Sequence, residues 1–99
     1  MKTNELQTFD ISEYLDSQEA IGEYLSQVLE DGDSDEFIRA IAHIAKAKGM
    51  AQISKDTGLG RESLYKAFQS NSKPRFDTVM KVMNAFKVQF LAVPKLSIW

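Results

Sequence analysis

The chain has 99 residues, of which 43% are hydrophobic and 26% charged, as in one ordinary globular domain with a modest core. It contains no cysteine, which excludes disulfide bonds and thiolate metal sites and leaves the redox compartment undetermined. No apolar run approaches the ~18 residues of a membrane span and the first dozen residues are mostly polar, so we expect a cytoplasmic protein without a signal peptide or membrane partner.

The formal net charge of −2 conceals a large difference between the two parts of the chain. Residues 1–36 carry eleven acidic and one basic side chain, a net charge of −10, whereas residues 37–99 carry eleven basic and three acidic ones, a net charge of +8. A basic part suits phosphate contacts, and an acidic part suits a basic protein partner. The pattern fits two binding partners of opposite charge, or one part of the chain that masks the other. The charged side chains could also be merely solvated surface.

The N-terminal third predicts an arm followed by an acidic helix. Residues 1–15 show no clear periodicity and are predicted to be an arm, either extended or frayed. The folded domain then starts with Asp16-Ser17-Gln18-Glu19, a variant capping box whose first residue would cap the helix and whose last would reach back. Apolar residues follow at helical spacing until Asp31-Gly32, which predicts a first helix over 17–30.

We predict that the folded domain extends from residue 16 to residue 99. Its sequence predicts four more helices within 34–86. The sequence Asp33-Ser34-Asp35-Glu36 repeats the capping device and opens a second helix that ends at Gly49. Two short helices over about 50–57 and 61–69 follow. After a polar loop with a proline, helical spacing returns and continues to Phe86.

The C-terminal residues Val88 to Val93 are rich in β-branched and aromatic side chains and are followed by Pro94, which predicts a short strand over 88–93. One strand cannot form a sheet alone. Its partner could be the N-terminal arm, a second copy of this chain or another protein.

The stretch from Met50 to Gln69 has the pattern of a helix-turn-helix, in which the second helix enters the DNA major groove. Gly58 would supply the positive φ that ends the first helix, and Ser54 is small where the two helix backbones approach. Apolar residues fall where the two helices would close on a shared core. An ordinary helical hairpin that binds nothing fits the same spacing.

Catalysis has little support in the sequence. The only histidine, His43, lies in the middle of a predicted helix without a nucleophile at a recognisable spacing. No glycine-rich phosphate loop or metal-ligand cluster is present. We therefore expect no enzymatic activity, no metal and no cofactor.

The exposed side of the second helix of the motif could read DNA. Arginine can bind guanine through two hydrogen bonds, glutamate can accept from the cytosine amino group, and tyrosine can contact a phosphate or a thymine methyl group. Lysine and arginine around Pro74 could contact phosphates. Each of these side chains could instead be solvated surface. With Leu64 and Phe68 turned inward, the candidates are Arg61, Glu62, Tyr65, Lys66, Gln69, Lys73 and Arg75.

Four segments together resemble a known family. They are Phe-Asp-Ile-Ser-Glu-Tyr-Leu at 9–15, Ala-Lys-Gly-Met at 47–50, Gly-Leu-Gly-Arg-Glu-Ser-Leu-Tyr-Lys-Ala at 58–67 and Asp-Thr-Val-Met-Lys-Val at 77–82. The chain from about residue 9 to residue 93 resembles the addiction-module antidote proteins, antitoxins of the host-inhibition-of-growth type related to lambda-type repressors. The resemblance implies an all-α, five-helix lambda-repressor-like helix-turn-helix domain, here with an N-terminal arm and a short C-terminal β-strand.

The resemblance also implies partners and residue roles. The partner would be a toxin of the small RelE/ParE-like fold, typically basic and encoded beside the antitoxin, and the antitoxin and the complex would repress their own operon. By position, base-reading roles fall on Arg61, Glu62, Tyr65 and Lys66. Phosphate roles fall on Gln52, Lys73 and Arg75, and Gly60 begins the recognition helix and completes the predicted DNA-binding set.

Three residues depart from the family pattern. Met50 stands where repressor-like domains often have a glutamine that contacts phosphate, which puts that contact in doubt. Gly60 stands where a serine is common, so the recognition helix lacks a capping side chain; this costs only a few tenths of a kcal/mol. Lys87 replaces the glycine often found after the last helix.

We therefore predict a type II antitoxin that neutralises a basic toxin and binds operator DNA as a homodimer. The candidate toxin-binding residues, chosen by charge alone, are Glu19, Glu23, Glu30 and Asp31. Two alternatives stay open: a stand-alone phage-type repressor with no toxin, and a protein-interaction module whose helix-turn-helix has lost DNA binding.

Overall fold

Five α-helices make up the part of the chain that the computed structural model describes, residues 17–95. They are α1 (Gln18–Asp31), α2 (Ser34–Lys48), α3 (Met50–Thr57), α4 (Arg61–Ala67) and α5 (Phe76–Ala85). The all-α prediction is confirmed for these residues, while the predicted arm over 1–15 lies outside them. None of the helices in this range is long and apolar enough to cross a membrane.

The first two helices begin at side chains that accept hydrogen bonds from otherwise unpaired backbone N–H groups. The Ser17 hydroxyl accepts from the Ala20 N–H at 3.0 Å. The Asp33 carboxylate accepts from the N–H groups of Asp35 and Glu36 at 3.0 and 3.3 Å. Each such cap stabilises a helix by about 1 kcal/mol. The cap predicted at Asp33 is confirmed, and at α1 the structure assigns the cap to Ser17 rather than to the residue before it.

A single residue, Gly49, joins α2 to α3. Its N–H donates to the Ala45 carbonyl at 2.9 Å, and its own carbonyl accepts from the Ile53 N–H at 3.1 Å. The φ angle of Gly49 is 102°, which side-chain-bearing residues rarely adopt. Glycine therefore lets one helix end and the next begin without an intervening loop.

The core lies where the five helices meet, and every buried residue among those described is apolar. Helix α1 packs mainly on α2, whereas α3 contacts α2, α4 and α5 and so lies centrally. Each fully buried aliphatic side chain contributes about 1.5–3 kcal/mol through the surface that it removes from water. The largest fully buried side chains are Ile21, Leu25, Ile41, Ile44, Ile53, Leu64, Val82 and Phe86.

Residues 88–95 form neither helix nor strand, so the β-strand predicted over 88–93 is not found in the described chain. A strand requires a neighbouring strand, and no other described residue forms one. Side chains hold the segment instead. The Phe90 ring lies 6.0 Å from the rings of both Phe37 and Phe76, measured between centroids.

Candidate nucleic-acid interface

Two hydroxyl side chains hold the turn between α3 and α4. The Ser54 hydroxyl donates to the Leu59 carbonyl. The Thr57 hydroxyl donates to the Ile53 carbonyl at 2.8 Å and accepts from the Leu59 N–H at 3.1 Å. Gly58 adopts a φ of 77°, as the sequence pattern predicted for the turn. The chain thus fixes the position of α4 relative to α3 through its own hydrogen bonds.

Helix α4 buries one side and exposes the other. Leu64 and Phe68 are buried in the core, which confirms the predicted inward positions. The base-reading candidates Arg61, Glu62, Tyr65 and Lys66 are exposed, as is Gln69 just beyond the helix. At ~100° per residue, the four helical candidates lie within about 140° around the helix axis. They therefore share one solvent-facing side of a firmly anchored helix.

The start of α4 has no side-chain cap. Gly60 occupies the N-cap position with φ −68° and ψ 150°, an ordinary extended conformation that does not require glycine. The absence of a capping side chain agrees with the departure from the family pattern noted at this position.

Three basic side chains border one shallow depression beside α4. Lys66 lies on the helix, and Lys73 and Arg75 lie on the loop between α4 and α5. The hydroxyl-bearing residues Ser63, Ser72 and Thr78 also line the depression. None of the three basic residues forms an ion pair with another residue in the range 17–95. Unpaired cations beside hydroxyl groups suit contacts with backbone phosphates.

The structure places Gln52 away from this group. By helical geometry Gln52 lies about 160° around α3 from Ser54, the residue that contacts the turn before α4. Its amide donates to the Asp56 carboxylate at 2.8 Å, and the pair borders a depression with Gln18 and Lys87. Gln52 is therefore not brought together with the α4 candidates.

Met50 belongs to the core. It is 8% exposed and lies beside Leu64 and Phe68. This residue, for which the family resemblance implied a phosphate-contacting glutamine, packs against α4 instead. Its departure from the family pattern thus contributes apolar packing under α4.

Sequence reasoning missed Lys46, which the fold brings beside α4. This exposed residue of α2 borders a small apolar cleft together with Tyr65 and Gln69. Two further exposed residues, Arg39 and His43, lie seven and three positions earlier, on the same side of α2. Their spacing is visible in the sequence, but the nearness of Lys46 to α4 depends on tertiary packing. Basic side chains therefore flank α4 on two sides.

The candidate toxin-binding acids lie together on α1. Glu19, Glu23 and Glu30 border one open depression along the helix, and Asp31 is exposed at its end. Helix α1 contains no basic residue. No group of three or more potential ligands that could hold a metal ion occurs among the described residues. The arrangement suits a positively charged partner.

Comparison with known proteins places the chain in a family. The model of the family described as "Probable addiction module antidote protein" matches residues 5–94. A protein of Haemophilus influenzae (strain ATCC 51907 / DSM 11121 / KW20 / Rd), described as uncharacterized, is 43% identical over 88 residues, which cover 89% of this chain and 91% of that protein. No solved structure matches the chain. The chain therefore belongs to the family of probable addiction module antidote proteins.

Proposed function

We propose that the protein is the antitoxin of a type II toxin–antitoxin module, which binds a RelE/ParE-like toxin directly and represses its own operon through the helix-turn-helix. Membership of an antidote family supports the antitoxin role and implies a toxin partner. A stand-alone repressor would share the α4 surface but would have no toxin, so the family favours the antitoxin.

The observation that carries the DNA-binding part is the exposed side of α4. Its four candidate side chains stand on a helix that the hydroxyl-bonded turn and the buried Leu64 hold in place. In the proposed complex, α4 lies in the major groove, where Arg61 in the first turn binds guanine and Glu62 accepts from cytosine.

Phosphate contacts on both flanks of α4 orient the protein on the duplex. Lys66, Lys73 and Arg75 supply one flank and Lys46 supplies the other. These contacts carry no sequence information but contribute most of the salt-dependent affinity. The protein acts as a homodimer whose two α4 helices read half-sites about 34–36 Å apart, or multiples of that distance.

The acids of α1 provide the toxin-binding surface. A basic toxin gains from the complementary charge mainly in its rate of association and in its specificity. Reversing the charge of several of Glu19, Glu23, Glu30 and Asp31 removes that attraction.

Fluorescence anisotropy on the DNA upstream of the protein's own operon tests the DNA-binding role. We expect Arg61→Ala to weaken binding by about 1–3 kcal/mol and to relax the preference at one base position. Lys95→Ala, which removes the same charge from the C-terminal segment, serves as the control and should bind as the wild type does. A wild-type protein without salt-dependent DNA binding would show that the chain is a protein-interaction module instead.

A further inference from the structure

A mostly apolar groove lies between α1 and residues 88–91. None of the candidate DNA-binding residues borders it. Buried Leu25 contributes to its lining, and Leu29 and Leu91 border it. These two bordering leucines are 46% and 79% exposed, respectively. Large exposed apolar side chains grouped around a groove are typical of a surface that binds another molecule.

Gly22 opens this groove in the N-terminal half of α1, although the packing of the described chain does not require glycine there. A Cβ atom added at Gly22 would meet no atom of residues 17–95 within 4 Å. Glycine inside a helix is less stable than alanine, so this position lowers helix stability without improving the internal packing. The missing side chain instead leaves room above α1 for a side chain from outside.

The groove is continuous with the acidic side of α1. Gly22 and Ser26 border both the groove and the depression that Glu19, Glu23 and Glu30 border. Any occupant of the groove therefore lies beside carboxylates, and a basic protein complements them.

Two other occupants fit this charge less well. A second copy of the chain in a symmetric contact would bring the same acidic helix against itself. Residues 1–16 carry four acidic and one basic side chain, so the chain's own N-terminal part is also of the wrong sign.

The segment beside the groove has backbone groups that form no backbone–backbone hydrogen bond within residues 17–95. The Val88 N–H donates to the Met83 carbonyl at 3.2 Å, but from residue 89 to residue 95 no backbone group bonds to another backbone group in the described part of the chain. Phe90 anchors the segment through its two aromatic neighbours. An extended piece of a partner can pair with such a segment through main-chain hydrogen bonds.

We propose that this groove is the binding site for the toxin, with an apolar toxin side chain seated over Gly22 and basic toxin side chains beside the acids of α1. The proposal rests on the antitoxin function proposed above and adds the location and chemistry of the contact. Charge alone indicated the acidic residues of α1 as the contact. The groove adds a place where an apolar toxin side chain can be buried, as protein interfaces usually need.

Binding of the small protein encoded beside this gene, measured by titration calorimetry on full-length variants, tests the groove. Gly22→Leu fills it, and Leu91→Asp places a charge on its border without touching the core. We expect each to weaken toxin binding about tenfold or more, as for a central anchor, with operator binding unchanged. Gly22→Ala should raise the melting temperature of the free protein while weakening toxin binding to a smaller extent, a combination that a loss of folding cannot produce.

Ala47→Leu adds similar bulk at an exposed position of α2 and should bind the toxin as the wild type does. If the wild type fails to bind the neighbouring gene product, the proposed antitoxin function itself is refuted. If the wild type binds and both groove variants bind equally well, the antitoxin role stands and the groove assignment is overturned. Variants that alter only the sedimentation of the free protein would assign the groove to a second copy, which also overturns the proposal.

Discussion

The turn between α3 and α4 and the acidic helix α1 differ in how many of their polar groups are paired and apolar groups buried within residues 17–95. In the turn before α4, the hydroxyl groups of Ser54 and Thr57 pair with backbone groups, and the apolar side of α4 is buried. Beside α1, in contrast, Leu29 and Leu91 are exposed, and residues 89–95 form no backbone–backbone hydrogen bond within the described range 17–95. The surface proposed to bind DNA is thus held in place by the chain itself, whereas the acidic surface has the features of one that another protein completes.

The largest effect is expected from removing Leu64, the buried side chain that holds α4 against the core. Leu64 is 1% exposed, and Leu64→Ala should destabilise the fold by about 2–5 kcal/mol through lost burial and a residual cavity. Urea denaturation measures this loss. At temperatures where the variant stays folded, we expect DNA binding to fall far more than toxin binding. Equal losses at both surfaces would show that the two regions do not act separately.

A smaller effect on DNA binding is expected from a change at Lys46, the basic residue of α2 that lies beside α4. Lys46→Gln should lower the slope of log affinity against log salt by about 1 and weaken operator binding about fivefold at ~0.15 M salt, since one phosphate contact is lost. Anisotropy titrations at several salt concentrations measure both quantities. The same change at Lys95 is the matched control, and an unaltered salt slope in Lys46→Gln would remove α2 from the interface.

The smallest expected effect has the opposite sign. Lys87 adopts a φ of 63°, a left-handed conformation that costs a side-chain-bearing residue about 1 kcal/mol or more. Lys87→Gly should therefore stabilise the fold by up to about 1 kcal/mol, because glycine adopts this conformation readily. The Lys87 carbonyl, which accepts from the Gln18 amide at 3.2 Å, remains in place. A lower melting temperature by calorimetry would contradict this expectation.

Local signals predicted most of the fold. Helical periodicity and the cap at Asp33 predicted the helices, and Gly58 predicted the turn. These signals are reliable because helices and turns depend on residues close together in the chain. The predicted strand over 88–93 was not found because a strand depends on a pairing partner that local sequence does not specify.

The site was predictable only in part for a similar reason. Helical periodicity predicted which side of α4 is exposed, and the structure confirms that Arg61 and its neighbours lie on that side. Their roles in binding stay predictions. The position of Lys46 beside α4, the burial of Met50 and the turning of Gln52 toward Asp56 all depend on how helices pack. Residue type and spacing alone cannot supply that packing.

The one-residue joint at Gly49 has a consequence for the motions of the protein. Its N–H closes the last turn of α2 and its carbonyl opens the first turn of α3, so neither turn can open without disturbing the other. Cooperative opening units often coincide with such supersecondary pairs of helices. We therefore expect α2, which bears Lys46, and α3, which contacts α4, to open together, so that Lys46 and the exposed side of α4 keep their relative positions.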